Sequence, residues 1–428
     1  MRLPRLSRLA LCAAVLAFVV RLTAVCVLGT WHFSRDIDHP AFRSEIGRTA
    51  RSLAEGKGYI TPFGTGEPSA WTAPLYPLLL AGILSALGVH SDAAALAILF
   101  FQCVMGAATV LVLHSLGRRW VGDRGAAVAA FGFAIYPPAV YFSAGIVVPS
   151  GLTVLLVTTL LLFAEIHRGD ESPKAALTGG LAVGFTALVD PVCLVLLPCI
   201  LFAIVPRSAA LATRIRVVIL AIIGTAIALA PWTARNYIVL GDWVPIKSNF
   251  GEALWLGNND HATGHERDEG GRHLLDFLTP DEKARIAGMS EIARNRWLLG
   301  RAIEWARAHP GRVFKLSLRR AGRYWWQTDF RSARELATRA GPTAMAALTW
   351  SYPILLLLGV VGLYLAFRQR LPVGTAVLFF ALYPLGYYVT HVSVYRYRYP
   401  VEPFLLIFAA LTVASLSRYL RVRTPGSS

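Results

Sequence analysis

The chain has 428 residues, 55% of them hydrophobic and only 16% charged, and its mean hydropathy is positive. That balance excludes a soluble globular enzyme and indicates a polytopic membrane protein. The formal net charge of +17 does not signal nucleic-acid binding, because the arginines fall in short loops between apolar runs, which is a pattern of membrane topology.

Met1 to Arg8 is basic and leads into an apolar run from Leu9 to about Gly29. The run is too long for a signal-peptide core and no A-x-A site closes it, so it reads as an uncleaved first span entering from the cytoplasm. A span needs about 20 mostly apolar residues. Candidates are 9–30, 93–116, 126–146, 149–166, 175–189, 191–206, 216–234, 346–367, 373–391 and 400–417. A further run, 74–89, is ambiguous. Leaving it out places the basic loops 1–8, 117–124, 167–174, 206–216 and 368–370 and the tail from Arg418 on one side, as the positive-inside rule requires, whereas counting it as a span turns all but the first of them outward. The expectation is therefore an all-α bundle of about ten spans with both termini cytoplasmic, and 74–89 as a juxtamembrane helix. The implied organisation is a first span to residue 30, an outer loop 31–92, a bundle 93–234, an outer helical segment 235–345, and C-terminal spans with a tail, 346–428.

The five cysteines, Cys12, Cys26, Cys103, Cys193 and Cys199, lie in apolar runs without CxxC spacing or a partnering His. Neither a disulfide framework nor a zinc site is expected. No P-loop or Rossmann glycine motif occurs, so a nucleotide site is unsupported.

The first outer loop concentrates carboxylates: Asp36, Asp38 and Glu45 beside Arg43 and Arg48, with Glu55 and Glu67 further on. Phe42, Ile46, Ala50 and Leu53 recur at helical spacing and put Arg43, Arg48 and Arg51 on the wetter side, the pattern of an amphipathic surface helix. Asp38 then reads either as its N-cap or as a general base. Glu45 reads as an ion-pair partner of Arg48 or Arg43, or as a ligand-facing acid. In the irregular segment 56–77, Tyr59, Phe63 and Trp71 can pack under a sugar ring or against the bundle.

Beyond the seventh span, Arg235, Asn236, Lys247, Ser248, Asn249, Asn258 and Asn259 offer cationic and amide donors at the outer face, suited to a phosphate and to sugar hydroxyls. Anionic lipid is the competing partner for Arg235 and Lys247. Residues 280–327 interleave apolar residues with Arg and Glu and break at His309-Pro310-Gly311, and the RRAGRYWW end has the composition of an interfacial anchor. Between the last two spans, HVSVYRYRYPVEP places Tyr395, Arg396 and Arg398 outside, against the topology rule, with Glu402 able to orient one of the arginines.

In their order, E-I-G-R-T-A-R-S-L-A-E-G-K-G-Y (Glu45–Tyr59), P-L-Y-P (Pro74–Pro77), P-W-T-A-R-N-Y (Pro231–Tyr237), S-N-F-G with L-G-N-N (Ser248–Asn259) and R-Y-R-Y-P-V-E-P (Arg396–Pro403) resemble the bacterial GT-C membrane glycosyltransferases of the protein O-mannosyltransferase and aminoarabinose-transferase type. The resemblance implies a polyprenyl-phosphate-linked sugar as donor and a glycan, lipid or protein hydroxyl as acceptor. It also implies an active site facing the periplasm from a bacterial inner membrane, among membrane lipids and without nucleic acid. An acidic residue of the first outer loop would act as base. The family's usual Asp-Glu pair reads Asp38-His39 here, so Asp38 ranks first, Glu45 second and Asp36 third. Arg235, Arg396 or Arg398 would stabilise the departing phosphate. A divalent cation could bridge phosphate and carboxylates, though no dedicated ligand cluster is present. The alternatives are a lipid-linked-sugar transporter or flippase, expected to carry mid-span ionisable groups and matching broken helices, and a binding protein without transfer.

Overall fold

A computed structural model describes residues 7–34, 42, 44–206, 208–326, 334–391 and 395–423. These form helices and loops; the only strand-like pairings among them are two isolated bridges, Ile60 with Pro68 and Arg267 with His273.

The first helix, α1 (Arg8–Leu28), is capped by Ser7, whose hydroxyl accepts from the Ala10 amide, and ends at Gly29 in the left-handed region. The first outer loop contributes α2 (Glu45–Ala54) and α3 (Leu75–Leu87). At about 1.5 Å per residue, the 13 residues of α3 reach roughly 20 Å, short of a hydrocarbon core about 30 Å thick. A 44-residue helix, α4 (Asp92–Ile135), joins two expected spans across a kink at Gly122, whose φ of 80° departs from the helical range. Then follow α5 (Pro137–Ala144), α6 (Ser150–Ile166), α7 (Pro173–Ala187) and α8 (Leu196–Ile204). Next comes α9 (Leu211–Leu240), 30 residues with Pro231 inside. The motif from Pro231 to Tyr237, expected to open the loop after the seventh span, is thus the end of a helix that projects past it.

The outer segment is α10 (Phe250–Gly257), α11 (Pro280–Ala287), α12 (Glu291–Ala308) and α13 (Pro310–Trp326). The break at His309 falls where Pro310 cannot supply the amide that would continue α12. The chain then runs through α14 (Arg334–Arg368, kinked at Gly341), α15 (Gly374–Leu382), α16 (Leu385–Val389) and α17 (Glu402–Arg423). Among the described residues, five helical stretches are long and apolar enough to cross a membrane by length and composition; shorter apolar helices include Ser150–Ile166, Pro191–Ile204 and Gly374–Val389.

The bundle core is apolar and aromatic: Trp120 stacks on Phe408 at 6.0 Å, and Phe142 on Tyr399 at 4.5 Å. Helices α7 and α9 approach through small residues. A Cβ at Gly180 would lie 2.0 Å from the Ala221 carbonyl oxygen, and the Thr225 hydroxyl donates to the Gly180 carbonyl at 3.1 Å. Small residues are the usual means of close helix contact in lipid. Arg21 is completely buried in α1 and donates to the carbonyls of Ala134 (2.9 Å) and Phe133 (3.2 Å). Pro137 and Pro138 interrupt the chain there, so the guanidinium satisfies carbonyls that the break leaves without helical partners. A mid-span arginine is thereby accounted for structurally.

Candidate active site

Several chain segments far apart in sequence bring charge to one region. The first is α2. Its N-cap is Ser44, whose hydroxyl accepts from the Gly47 amide at 3.4 Å. Asp38 is therefore not the cap. The helix begins at Glu45, later than expected, because Ser44 offers the capping oxygen directly before the regular turn. Glu45 is half-buried and makes no ion pair with Arg48 or with any other described residue. Arg48 instead donates to the Pro62 carbonyl at 3.4 Å. Arg51, expected on the wet side, is buried, with its guanidinium 5.6 Å from the Phe42 ring centre. Arg48 is exposed, as expected. Asp36, Asp38 and Arg43 lie outside the described residues.

The second segment is the loop before α10. Ile246 packs against Ala187 and Leu188, which sets the next residue, Lys247, beside the turn after α7. Asp190 occupies that turn; its carboxylate accepts from the Val192 amide at 3.3 Å. Burial pulls the Lys247 pKa below its usual value, Glu45 and Asp190 oppose that pull, and Arg396 adds to it. Lys247 thus feels two carboxylates and one guanidinium from three other elements. Arg396, from the third segment, has its guanidinium 5.6 Å from the Tyr397 ring centre, and Tyr397 stacks on Tyr387 at 4.6 Å.

Glu252 in the first turn of α10 and Arg294 of α12 form the fourth contribution, an ion pair at 2.6 Å. Burial pushes the Glu252 pKa up; Arg294 offsets this and Glu45 adds to it. Close by, Glu291 at the start of α12 ties three segments together. It accepts from the Ser69 hydroxyl at 2.6 Å, from the Ala70 amide at 2.9 Å and from the Ser248 hydroxyl at 2.5 Å.

The remaining expected ligands have structural partners. Arg235 donates to the carbonyls of Ser69 (2.7 Å) and Tyr59 (3.1 Å) and lies over Trp232. Asn236 is fully buried and donates to the Val244 carbonyl at 2.8 Å. Asn258 joins Leu254 to Val389 through its amide, at 2.8 and 2.9 Å, and the Asn259 amide donates to Trp255. Arg398 pairs with Glu402 at 3.1 Å, both essentially without exposure, and the hydroxyls of Tyr136 and Tyr395 donate to the other Glu402 oxygen at 2.9 and 2.7 Å. A buried pair with its remaining oxygen satisfied is a packing unit, not a free phosphate receptor. Asn249 stands half-buried just before α10, without a side-chain cap bond. Tyr59 and Trp71 pack inward, Tyr59 at 4.8 Å from Trp232, while Phe63 is exposed.

Of the residues singled out from sequence, Glu45, Lys247 and Arg396 are therefore brought together. Arg235, Asn236, Asn258, Tyr395, Arg398 and Glu402 are held by the contacts just described. Asp190, Glu252, Arg294 and Glu291 were not singled out as site residues. The one available signal was Asp190-Pro191, an acid at the junction of two apolar runs. Among the described residues no group of three or more His, Cys, Asp or Glu side chains could hold a metal ion.

Residues 72–234 match the family profile described as dolichyl-phosphate-mannose-protein mannosyltransferase. No curated protein matches the chain. Among solved structures, the oligosaccharyltransferase AglB of the archaeon Archaeoglobus fulgidus, in complex with an inhibitory peptide and a dolichol-phosphate, superposes over 96% of this chain and 52% of its own, with a TM-score of 0.50 and 14% identity. ArnT of Cupriavidus metallidurans bound to undecaprenyl phosphate covers 94% of this chain and 79% of its own, with a TM-score of 0.43 and 13% identity. The chain spans about half the length of AglB. It shares the fold of AglB and, over residues 72–234, resembles the mannosyltransferase family of that profile.

Proposed function

We propose that this GT-C-fold protein is an integral-membrane glycosyltransferase that moves a hexose or pentose from a polyprenyl-phosphate to an acceptor hydroxyl on the periplasmic face of a bacterial inner membrane. The observation that carries this reading is the convergence of Glu45, Lys247 and Arg396 from three distant segments. Neither Glu45 nor Lys247 has a direct ion pair among the described residues. A carboxylate and cations that share a field without an ion pair between them suit a sugar phosphate as ligand. The matched family profile and the lipid phosphate held by AglB are in keeping with such a donor.

In the proposed step a carboxylate takes the proton of the acceptor hydroxyl. The oxygen forms its bond to the anomeric carbon as the bond from that carbon to the phosphate oxygen breaks. The electron pair leaves with the lipid phosphate, whose charge Lys247 and Arg396 stabilise without needing to donate a proton. Glu45 at the N-terminus of α2 is the described candidate for the base; Asp38 and Asp36 are the others. Asn249, half-buried just before α10, is the candidate partner of a sugar hydroxyl. Asp190 and Glu45 favour the charged form of Lys247. If a divalent cation takes part, the carboxylates of the first outer loop are its candidate ligands.

Purified protein supplied with a radiolabelled polyprenyl-phosphate sugar tests the reading. Glu45→Gln, Asp38→Asn or Asp36→Asn should lose on the order of 10²–10⁴ in turnover while still binding donor, as expected for a removed general base. Undiminished transfer by all three variants would reject a base in this loop. Binding without transfer by the unaltered protein would favour a flippase or binding protein.

A further inference from the structure

The helix α13 presents three different faces. One is buried: Leu316, Arg320 and Tyr324, each one turn apart, are 6%, 0% and 1% exposed. Arg320 donates to the carbonyls of Gly257, Tyr388 and Val389, the last two at 2.7 Å. This fixes the rotation of the helix about its axis. On the adjoining face Phe314 and Leu318, also one turn apart, are 65% and 58% exposed. Beside them runs a basic row, Lys315 and Arg319, both exposed, and among the described residues neither is tied to an acidic side chain by an ion pair. Trp326 closes the helix at 70% exposure.

A large apolar strip next to a row of cations suits the boundary between headgroups and acyl chains, where both are satisfied at once. The position of the helix agrees with that depth. Its buried face rests on Tyr388 and Val389, at the end of the apolar segment Gly374–Val389. The chain then returns to an apolar helical run at Gly341, 15 residues after Trp326 (341 minus 326). We infer that α13 docks on the outer membrane face, with Phe314 and Leu318 among the acyl chains and Lys315 and Arg319 on anionic phospholipid headgroups. The Tyr324 hydroxyl donates to the Tyr397 carbonyl at 3.3 Å, so the docked helix also braces the segment that carries Arg396. The inference does not depend on the transferase reading.

The test uses the full chain in nanodiscs, with the exposed Cys12 and Cys26 replaced by alanine and a nitroxide attached in turn at Phe314→Cys, Leu318→Cys, Lys315→Cys and, as a water-exposed control, Arg272→Cys. Labels at 314 and 318 should collide more with oxygen than with a water-soluble nickel chelate, and the label at 315 should show the reverse. Labels at 314 and 318 as open to nickel as the control would overturn the inference. Labels closed to both reagents would overturn it too, because they would mean that protein covers the strip. Separately, Lys315→Gln with Arg319→Gln, both at exposed positions, should lower the affinity for phosphatidylglycerol by roughly thirty-fold, from about fivefold per cation. An unchanged affinity would rule out the anionic headgroup as partner.

Discussion

Lys247 and Arg398 are both cations expected from sequence to meet a phosphate, and their surroundings separate them. Arg398 is committed to Glu402 within hydrogen-bond distance and lies over the Tyr352 ring. Lys247 has two carboxylates in its field and neither in contact. Because burial lowers its pKa while Glu45 and Asp190 raise it, its ammonium is present below that lowered value and is lost as the pH rises through it. Affinity for a polyprenyl phosphate in detergent should accordingly fall on the alkaline side at a lower pH than an exposed lysine would give. Lys247→Arg should move that limb well upward, since guanidinium does not titrate in the range. A binding curve flat across the alkaline range in the unaltered protein would remove Lys247 from the phosphate site.

At the scale of elements, the contact of α7 with α9 depends on missing side chains. Gly180 of α7 faces the Ala221 carbonyl of α9, and on the other side a Cβ at Gly224 would lie 2.3 Å from the Leu177 carbonyl oxygen. Backbone oxygens cannot rotate away as a side chain can. Gly180→Val should therefore push the two helices apart and cost about 1–3 kcal/mol, the usual penalty for overpacking, read as a lower unfolding temperature in detergent. Since Asp190 ends the turn after α7 and Ile246 packs on Leu188, the same variant should weaken lipid-phosphate binding as well. An unchanged unfolding temperature would mean that the pair is looser than described.

For the whole molecule, the decisive link is Glu291, which joins the first outer loop to the loop before α10 and to α12 across more than 200 residues of sequence. Glu291→Ala should remove the carboxylate contacts to Ser69, Ala70 and Ser248 and leave the glycine-rich segment 56–77 held by Arg235, by Arg48 at Pro62 and by the Ser248 amide at the Ala70 carbonyl. Faster tryptic cleavage after Lys57 is the expected result. Cleavage at the unaltered rate would show that Arg235 and the inward packing of Tyr59 suffice. The same link ties the segment after α2 to the residue next to Lys247.

Much of this protein is determined by local chemistry and could be read from the chain. Apolar runs must form helices because backbone groups have no other partners in lipid, so the helical layout follows from sequence, as do the break at Pro310 and the short α3. The carboxylate-rich first loop and the tyrosine and arginine run before α17 are visible as departures from an otherwise apolar, positive-inside pattern. Which of those residues serve the site and which serve the frame was not legible. Arg396 and Arg398 are two residues apart and chemically identical; only packing commits one to Glu402 and leaves the other near Glu45 and Lys247. Glu252 and Glu291 carry no local pattern that sets them apart, because their contacts arise from partners far away in sequence. Burial and charge pairing are properties of the folded whole, and these the tertiary structure alone decided.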